Sequence, residues 1–255
     1  MRLTDSYRCS LFEQIAFTVW DDISKHHRNG MHCPETGITS SIITEIRESG
    51  ENRNIGLWAS PGIHEDVAGS DIDIFIESDT NEFHWYALQA KVLYQDQSYQ
   101  GIHNKQQWEK LDKLQSIARC IPMFLFYNGR DPKAVAPQQE DKQYGCSIVP
   151  NEAMGKLSEQ FKPIRYPDLH PAIAFPWREL VCTTKHRRGG RLYSSTEIKN
   201  AVKLYEGLLH QDILDKAADL SGTIDNEISI ESTNETVGRK PQLTLVIRTS
   251  KSMRL

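Results

Sequence analysis

The stretch from Gly69 to Leu93, G-S-D-I-D-I-F-I-E-S-D-T-N-E-F-H-W-Y-A-L-Q-A-K-V-L, constrains the fold more than any other part of the chain. Ile72, Ile74 and Ile76 alternate with Asp71, Asp73 and Phe75, the period of two expected of a strand, so Asp71 and Asp73 share a face. In W-Y-A-L-Q-A-K-V-L the same rule puts Gln89 and Lys91 on one face, with Leu88, Ala90 and Val92 on the other. The polar S-D-T-N-E between the two runs is turn-rich and predicts a hairpin. Two acids then face a glutamine and a lysine across one sheet. Charged groups placed among Ile, Phe, Trp and Leu lose solvation, and folding alone gains little from them. A hard divalent cation such as Mg²⁺ on the carboxylates would offset that cost, with the lysine orienting a metal-activated water or stabilising charge on a phosphate. A pair of edge strands with solvated acids and Lys91 as an edge charge accounts for the same spacing.

At 255 residues the chain is long enough for a full core. Its 38% hydrophobic and 25% charged residues are ordinary for a soluble protein. No apolar run approaches the roughly 18 residues of a membrane span. The opening M-R-L-T-D-S-Y-R-C-S lacks the apolar core of a signal peptide, so the expectation is a cytoplasmic protein without membrane association. A net charge of −4 argues against a nonspecific coat on nucleic acid but leaves room for a local basic patch. Cys9, Cys33, Cys120, Cys146 and Cys182 are scattered, with no C-x-x-C pair, and are expected as reduced thiols. His26, His27, His32 and Cys33 are zinc-ligand types close together, but no H-x-x-x-H spacing or cysteine pair supports a zinc site.

Around the central stretch the periodicity alternates between helix and strand. Leu11, Phe12, Ile15, Val19 and Ile23 predict a packing helix over Ser10 to His26. Thr39 or Ser40 as cap, Ile42, Ile43 and Ile46 as stripe and Gly50 as stop predict a second helix, carrying Glu45. A short strand is expected around Ile55 to Ala59. Trp108, Leu111, Leu114 and Ile117 mark a helix from about Gln106 to Arg119, and the apolar run Cys120 to Asn128 a buried strand. The resulting fold class is α/β: a mixed central sheet flanked by helices. A strand at G-C-S-I-V-P, a short helix after it, a proline-punctuated loop, a helix within Ser195 to Leu220 and a final strand at L-T-L-V-I-R-T follow. Residues 1–150 read as the core and 151–255 as an extension packed on it. The run T-T-K-H-R-R-G-G-R-L gathers Lys185, Arg187, Arg188 and Arg191, either a solvated loop or a phosphate-contacting one.

The order helix with Glu45, strand with Asp71 and Asp73, strand with Gln89 and Lys91, helix, buried strand resembles the core of the PD-(D/E)XK nuclease superfamily. There a helix glutamate, a strand aspartate and an (E/Q)-x-K strand converge on a divalent metal. E-T-G-I-T, G-S-D-I-D-I-F-I, L-Q-A-K-V-L and I-P-M-F-L-F-Y-N-G together look like a bacterial domain family of unknown function assigned to that superfamily. The resemblance covers about residues 35 to 130. It implies a restriction-endonuclease-like core in which Glu45, Asp71, Gln89 and Lys91 are catalytic, and Glu45, Asp71, Asp73 and Gln89 hold Mg²⁺ or Mn²⁺. Gln89 stands where glutamate is commoner, which removes one negative charge, and Phe124 replaces a tyrosine.

The function implied is Mg²⁺-dependent endonucleolytic hydrolysis of phosphodiesters, DNA being the favoured substrate. By family analogy the chain would be an effector of restriction or anti-phage defence, with a regulatory partner protein or as a homo-oligomer. Lys105, Lys110, Lys113 and the Lys185 to Arg191 cluster are the candidate backbone contacts. The competing reading is a catalytically inactive module of the same fold that binds nucleic acid or a partner protein.

Overall fold

The computed structural model describes residues 3–53, 55–62, 69–78, 82–130 and 139–182. The chain divides into two units, residues 1–192 and 193–255, and the second lies outside the described residues, as do Lys185, Arg187, Arg188, Arg191, the helix expected within Ser195 to Leu220 and the last expected strand.

The first unit is α/β, with a six-stranded mixed sheet flanked by helices. Its strands are β1 (Leu57–Pro61), β2 (Ile72–Glu77), β3 (Phe83–Val92), β4 (Ile121–Tyr127), β5 (Cys146–Pro150) and β6 (Phe175–Pro176). They lie side by side in chain order. The helices are α1 (Leu3–Arg28), α2 (Glu35–Arg53), α3 (Lys105–Ala118), α4 (Gln139–Lys142), α5 (Asn151–Gln160), α6 (Tyr166–Leu169) and α7 (Glu179–Cys182). All pairings are antiparallel except β3 with β4, which is parallel and needs the crossover that α3 supplies. The expected hairpin is present as β2 and β3, with Asp73 opposite Ala87 and Ile72 opposite Leu88. Neither strand is an edge: β1 covers β2 and β4 covers β3. Lys91 therefore sits in the middle of the sheet.

Strand alternation sorts the interior into two layers. Ile72, Ile74, Ile76, Tyr86, Leu88, Ala90 and Val92 pack with Phe12, Ile15 and Val19 of α1 and Ile42 and Ile46 of α2. Phe124, Phe126 and Val149 pack on the other side with Leu111 of α3 and Met154 and Leu157 of α5. β4 supplies both layers, which is why its sequence is a continuous apolar run. Each fully buried side chain of this kind contributes roughly 1.5–3 kcal/mol.

Three expectations require correction. α2 starts at Glu35, directly after Pro34, so Thr39 is a buried interior residue rather than a cap. Gly50 does not end α2, which continues to Arg53; a Cβ there would stand 2.6 Å from the Leu57 carbonyl, so glycine lets α2 approach β1. Cys9 and Cys182 form a disulfide that ties α1 to α7, with Cα atoms 5.1 Å apart, because the fold brings the two ends of this unit together across 173 residues. Cys33, Cys120 and Cys146 are free and buried. The described part of the expected C-terminal extension, 151–182, lies in the first unit and adds β6 to the sheet.

A buried polar chain closes the β5 side. Tyr99 donates to Asn128 Oδ1 at 2.5 Å, Asn128 donates to Ser147 Oγ at 3.1 Å, and Ser147 donates to His170 Nε2 at 2.7 Å. His170 Nδ1 in turn donates to the Tyr166 carbonyl at 3.1 Å, which fixes the neutral tautomer. Burial lowers the His170 pKa from 6.5 to about 4. The unfolded chain thus binds the extra proton first as pH falls. The stabilisation is complete above pH 6.5 and is lost between about pH 6.5 and 4, a swing of about 3 kcal/mol. Denaturant titrations across that range should show a flatter profile for His170→Gln than for the wild type; parallel profiles would contradict the assignment.

Candidate active site

Asp71 stands at the entrance to β2, where its N–H donates to the Leu88 carbonyl at 2.8 Å and sets the register of the hairpin. Its Oδ2 accepts the Ala90 N–H at 2.6 Å and the Gln89 side-chain amide. Two donors from β3 therefore orient one carboxylate. Gln89 is 1% exposed, and with its amide spent on Asp71 its Oε1 is buried with no hydrogen-bond partner. Lys91 follows two residues on, on the same face, and is 6% exposed. Among the described residues no hydrogen bond or ion pair reaches its ammonium. The chain between β3 and α3 runs over it: a Cβ on Gly101 would be 3.8 Å from Lys91 Cε.

The helix acid at this end of the sheet is Glu35. Its Oε2 accepts the Val92 N–H at 3.1 Å, at the last residue of β3. An acid in the first turn also complements the positive end of the helix dipole. One turn on, Thr39 Oγ1 and the Tyr127 hydroxyl are 2.9 Å apart. Burial pushes the Tyr127 phenol well above its usual range, and the charges of Asp71 and Glu35 push it further, so both carboxylates act on the same hydroxyl. Glu35, Asp71, Gln89 and Lys91 thus gather at the C-terminal end of β3.

Of the expected site residues the fold brings together Asp71, Gln89 and Lys91. Glu45 lies elsewhere: ten residues beyond Glu35, about 15 Å along the helix. It is exposed and lines a groove between α1 and α2 with Thr18, Asp22 and Ser41. Asp73 shares the predicted face but lies deeper, fully buried, with Oδ1 accepting the Trp85 indole N–H at 3.0 Å. Glu35 was within reach of the sequence, since E-T-G-I-T is one of the motifs that carry the resemblance; starting the helix at Thr39 left its glutamate in a loop. The zinc-type residues disperse, His26 bonding its own helix at the Asp22 carbonyl, His27 the Leu93 carbonyl, and His32 stacking on Tyr94. On α3, Lys105 and Lys113 are exposed and Lys110 is half-buried beside the segment that carries Asp71.

The donor set at this site is carboxylate and carboxamide oxygen, which suits Mg²⁺ or Mn²⁺ rather than a soft metal. Among the described residues no group of three or more His, Cys, Asp or Glu could hold an ion. That excludes a cage built from such ligands alone, but Mg²⁺ needs only one or two carboxylates when water and substrate phosphate complete its shell. The buried, unpartnered Gln89 Oε1 is a further oxygen donor of the right kind.

Gly69 positions Asp71. It has φ +73°, and a Cβ would meet the Gln107 carbonyl and Lys110 Cβ at 3.0 Å each. Gly69→Ala should destabilise the fold by about 1–2 kcal/mol from the left-handed backbone alone. Chemical denaturation measures this, and an unchanged midpoint would remove Gly69 from the account.

A family model spans residues 8–252, and on that basis the chain belongs to a family of unknown function, DUF6615. No curated protein matches it.

Proposed function

We propose that this member of a family of unknown function is a metal-dependent nuclease of the PD-(D/E)XK type, with Asp71, Glu35, Gln89 and Lys91 as its site and DNA as the favoured substrate. The observation that carries the reading is Lys91. A lysine buried in the middle of a sheet is costly unless something negative meets it, and none of the described residues does. The negative charge of a scissile phosphate is the partner such a site fits. The elements α2, β2, β3, α3 and β4 support the same reading, since they keep the helix, strand, strand, helix, strand order of the resemblance, with β1 added between α2 and β2.

Asp71 and Glu35, with the carbonyl of the Gln89 side chain, would hold one Mg²⁺ or Mn²⁺. Such an ion, when bound, polarises the phosphate and lowers the pKa of a bound water. Asp71 is kept in orientation by the Ala90 and Gln89 donors, so the site does not have to reorganise as charge develops. Lys91 sets positive charge beside the phosphate as the water oxygen bonds to phosphorus and the P–O bond to the leaving oxygen breaks. Lys110 on α3 lies beside Gly69 on the flank of Asp71, where it can meet the nucleic-acid backbone, and the exposed Lys105 is a second candidate contact on the same helix. An effector role in restriction or anti-phage defence, with a partner protein or a second copy directing it, extends this proposal by analogy. Among the described residues no helix is long and apolar enough to cross a membrane.

The test is incubation of the purified chain with plasmid, linear duplex, single-stranded DNA and RNA, each with Mg²⁺, Mn²⁺ or EDTA. Cleavage should need the metal and fall by about 10²-fold or more in Asp71→Ala and Lys91→Ala. Glu35→Gln should also impair it, whereas Glu45→Gln should not. Equal cutting by wild type and the first two variants, with folding verified by circular dichroism, rejects the assignment. Glu45→Gln alone losing activity would return the helix acid to Glu45.

A further inference from the structure

A second site-like feature lies at the same end of the sheet, on the α1 side. His27 of α1 bonds the Leu93 carbonyl just beyond β3, so the last turns of α1 end beside the ends of β3 and β4. There a cavity of about 350 Å³ is lined by Trp20, Asp21, Asp22, Ser24, Lys25, Arg28 and Arg130. Gly129 packs directly on α1, a Cβ there meeting the Trp20 carbonyl at 2.6 Å and the Ser24 nitrogen at 2.7 Å. That contact delivers Arg130 from β4 to the face of the helix. The Arg130 guanidinium stacks over the Tyr166 ring, 4.4 Å from its centroid, which fixes the group while leaving its N–H donors unspent.

Three properties of the lining point to one class of ligand. Lys25, Arg28 and Arg130 bring positive charge, and among the described residues none of them is in an ion pair. Of the two carboxylates, Asp21 is bridged by Lys142 at 2.8 Å, so the cavity remains net positive with Asp22 counted. Trp20 Nε1 and Ser24 Oγ are buried and have no hydrogen-bond partner, although an indole N–H can only donate. Lys25 and Arg28 alone would be explained by the negative end of the α1 dipole. Arg130 is not on that helix, and the dipole does not account for two unpartnered donors among the same residues.

We infer that this cavity is a binding site for a phosphate group, presented by the backbone of the nucleic acid that the neighbouring site is proposed to cut. Arg28, Arg130 and Lys25 would neutralise it, and Ser24 and Trp20 would donate hydrogen bonds to its oxygens. The phosphate site stands on the cavity itself; its assignment to a nucleic-acid strand rests on the nuclease reading. The cavity is larger than a phosphate alone requires, which leaves room for the attached sugar.

The experiment is fluorescence anisotropy of the full chain with a short labelled oligonucleotide, single- and double-stranded, in EDTA so that nothing is cut. The Arg28→Gln, Arg130→Gln double variant should bind about 10-fold or more weakly, and the slope of log affinity against log salt should shrink by roughly 1.4 to 1.8, the release expected for two phosphate contacts. A charge-matched control, Lys156→Gln with Lys162→Gln, should leave both unchanged. Ser24→Ala should weaken binding without altering the salt slope. Calorimetric titration with inorganic phosphate and with a nucleoside monophosphate separates the sources: saturable binding of these by wild type, lost in the double variant while oligonucleotide binding is unaffected, keeps the phosphate site and overturns the strand. Equal losses in the double variant and the control, or no loss of any of these ligands with thermal stability intact, overturns the site. A chain that binds through Arg28 and Arg130 but cuts no substrate retains this site and loses the nuclease reading; one that cuts but binds indifferently to the double variant does the reverse.

Discussion

Asp71 and the C-terminal half of β3 are held to each other, and the rest of the unit is arranged so that this contact can form. β3 has an antiparallel neighbour, β2, on one side and a parallel one, β4, on the other. The parallel partner forces α3 to cross over the sheet, and the crossover brings Gln107 and Lys110 against Gly69, two residues before Asp71. On the opposite face α2 runs with its first turn at Val92 and its later turns against β1, where Arg47 donates to the Ala59 carbonyl at 2.8 Å. Both flanking layers thus converge on the end of one strand. The chemistry-bearing residues need no loop of their own to be brought together.

Polar groups at that place are expensive. Gln89 and Lys91 sit opposite Phe124 and Phe126 in the register of β4, and every residue of β3 from His84 onward is buried. An apolar pair would serve packing better, since burying a charge without a partner costs several kcal/mol. The cost is partly contained locally: the Gln89 amide and the Ala90 N–H both go to Asp71, and the Val92 N–H goes to Glu35. At the end of β3 the Gln89 Oε1 acceptor is left without a hydrogen-bond partner, and among the described residues no ion pair reaches the neighbouring Lys91.

The alternation of Asp71 to Ile76 and of Trp85 to Val92 was enough to place two strands, pair them and put Asp71, Gln89 and Lys91 together, because a period of two leaves little freedom once one face is apolar. The apolar run of β4 likewise announced a strand buried on both faces. The helix acid was harder to read. Glu35 and Glu45 both lie on α2, and choosing between them depends on which end of the helix meets the end of β3, a matter of tertiary direction that no local pattern encodes. Pro34 marked the start of the helix, but the Thr-Ser run at 39–41 offered a competing cap and concealed it. The Cys9 to Cys182 bond was invisible for a similar reason, since sequence spacing says nothing about ends that meet only when the sheet is complete. Arg130 and the last turns of α1 read as an ordinary loop and an ordinary helix end, and only their juxtaposition through Gly129 makes them a cavity.

Glutamine at 89 changes how such a site is assembled. A glutamate there would put a second carboxylate in contact with Asp71, and two like charges at hydrogen-bonding distance in a buried place repel unless a proton or a cation lies between them. The glutamine instead donates to Asp71, so attraction replaces repulsion and the pair is held before any ion arrives. The consequence is a trade. In the proposed metal site one negative charge would be lost from the donor set, weakening its pull on a divalent cation, while the orientation of Asp71 would already be fixed. Glu35 restores the second carboxylate from the other side of the sheet, where the Val92 N–H rather than a metal keeps it in place. The site then depends on backbone donors of β3 at both acids, and its integrity is tied to the register of that strand: a slip of one residue would remove Ala90 and Val92 from Asp71 and Glu35 together and turn Lys91 to the opposite face.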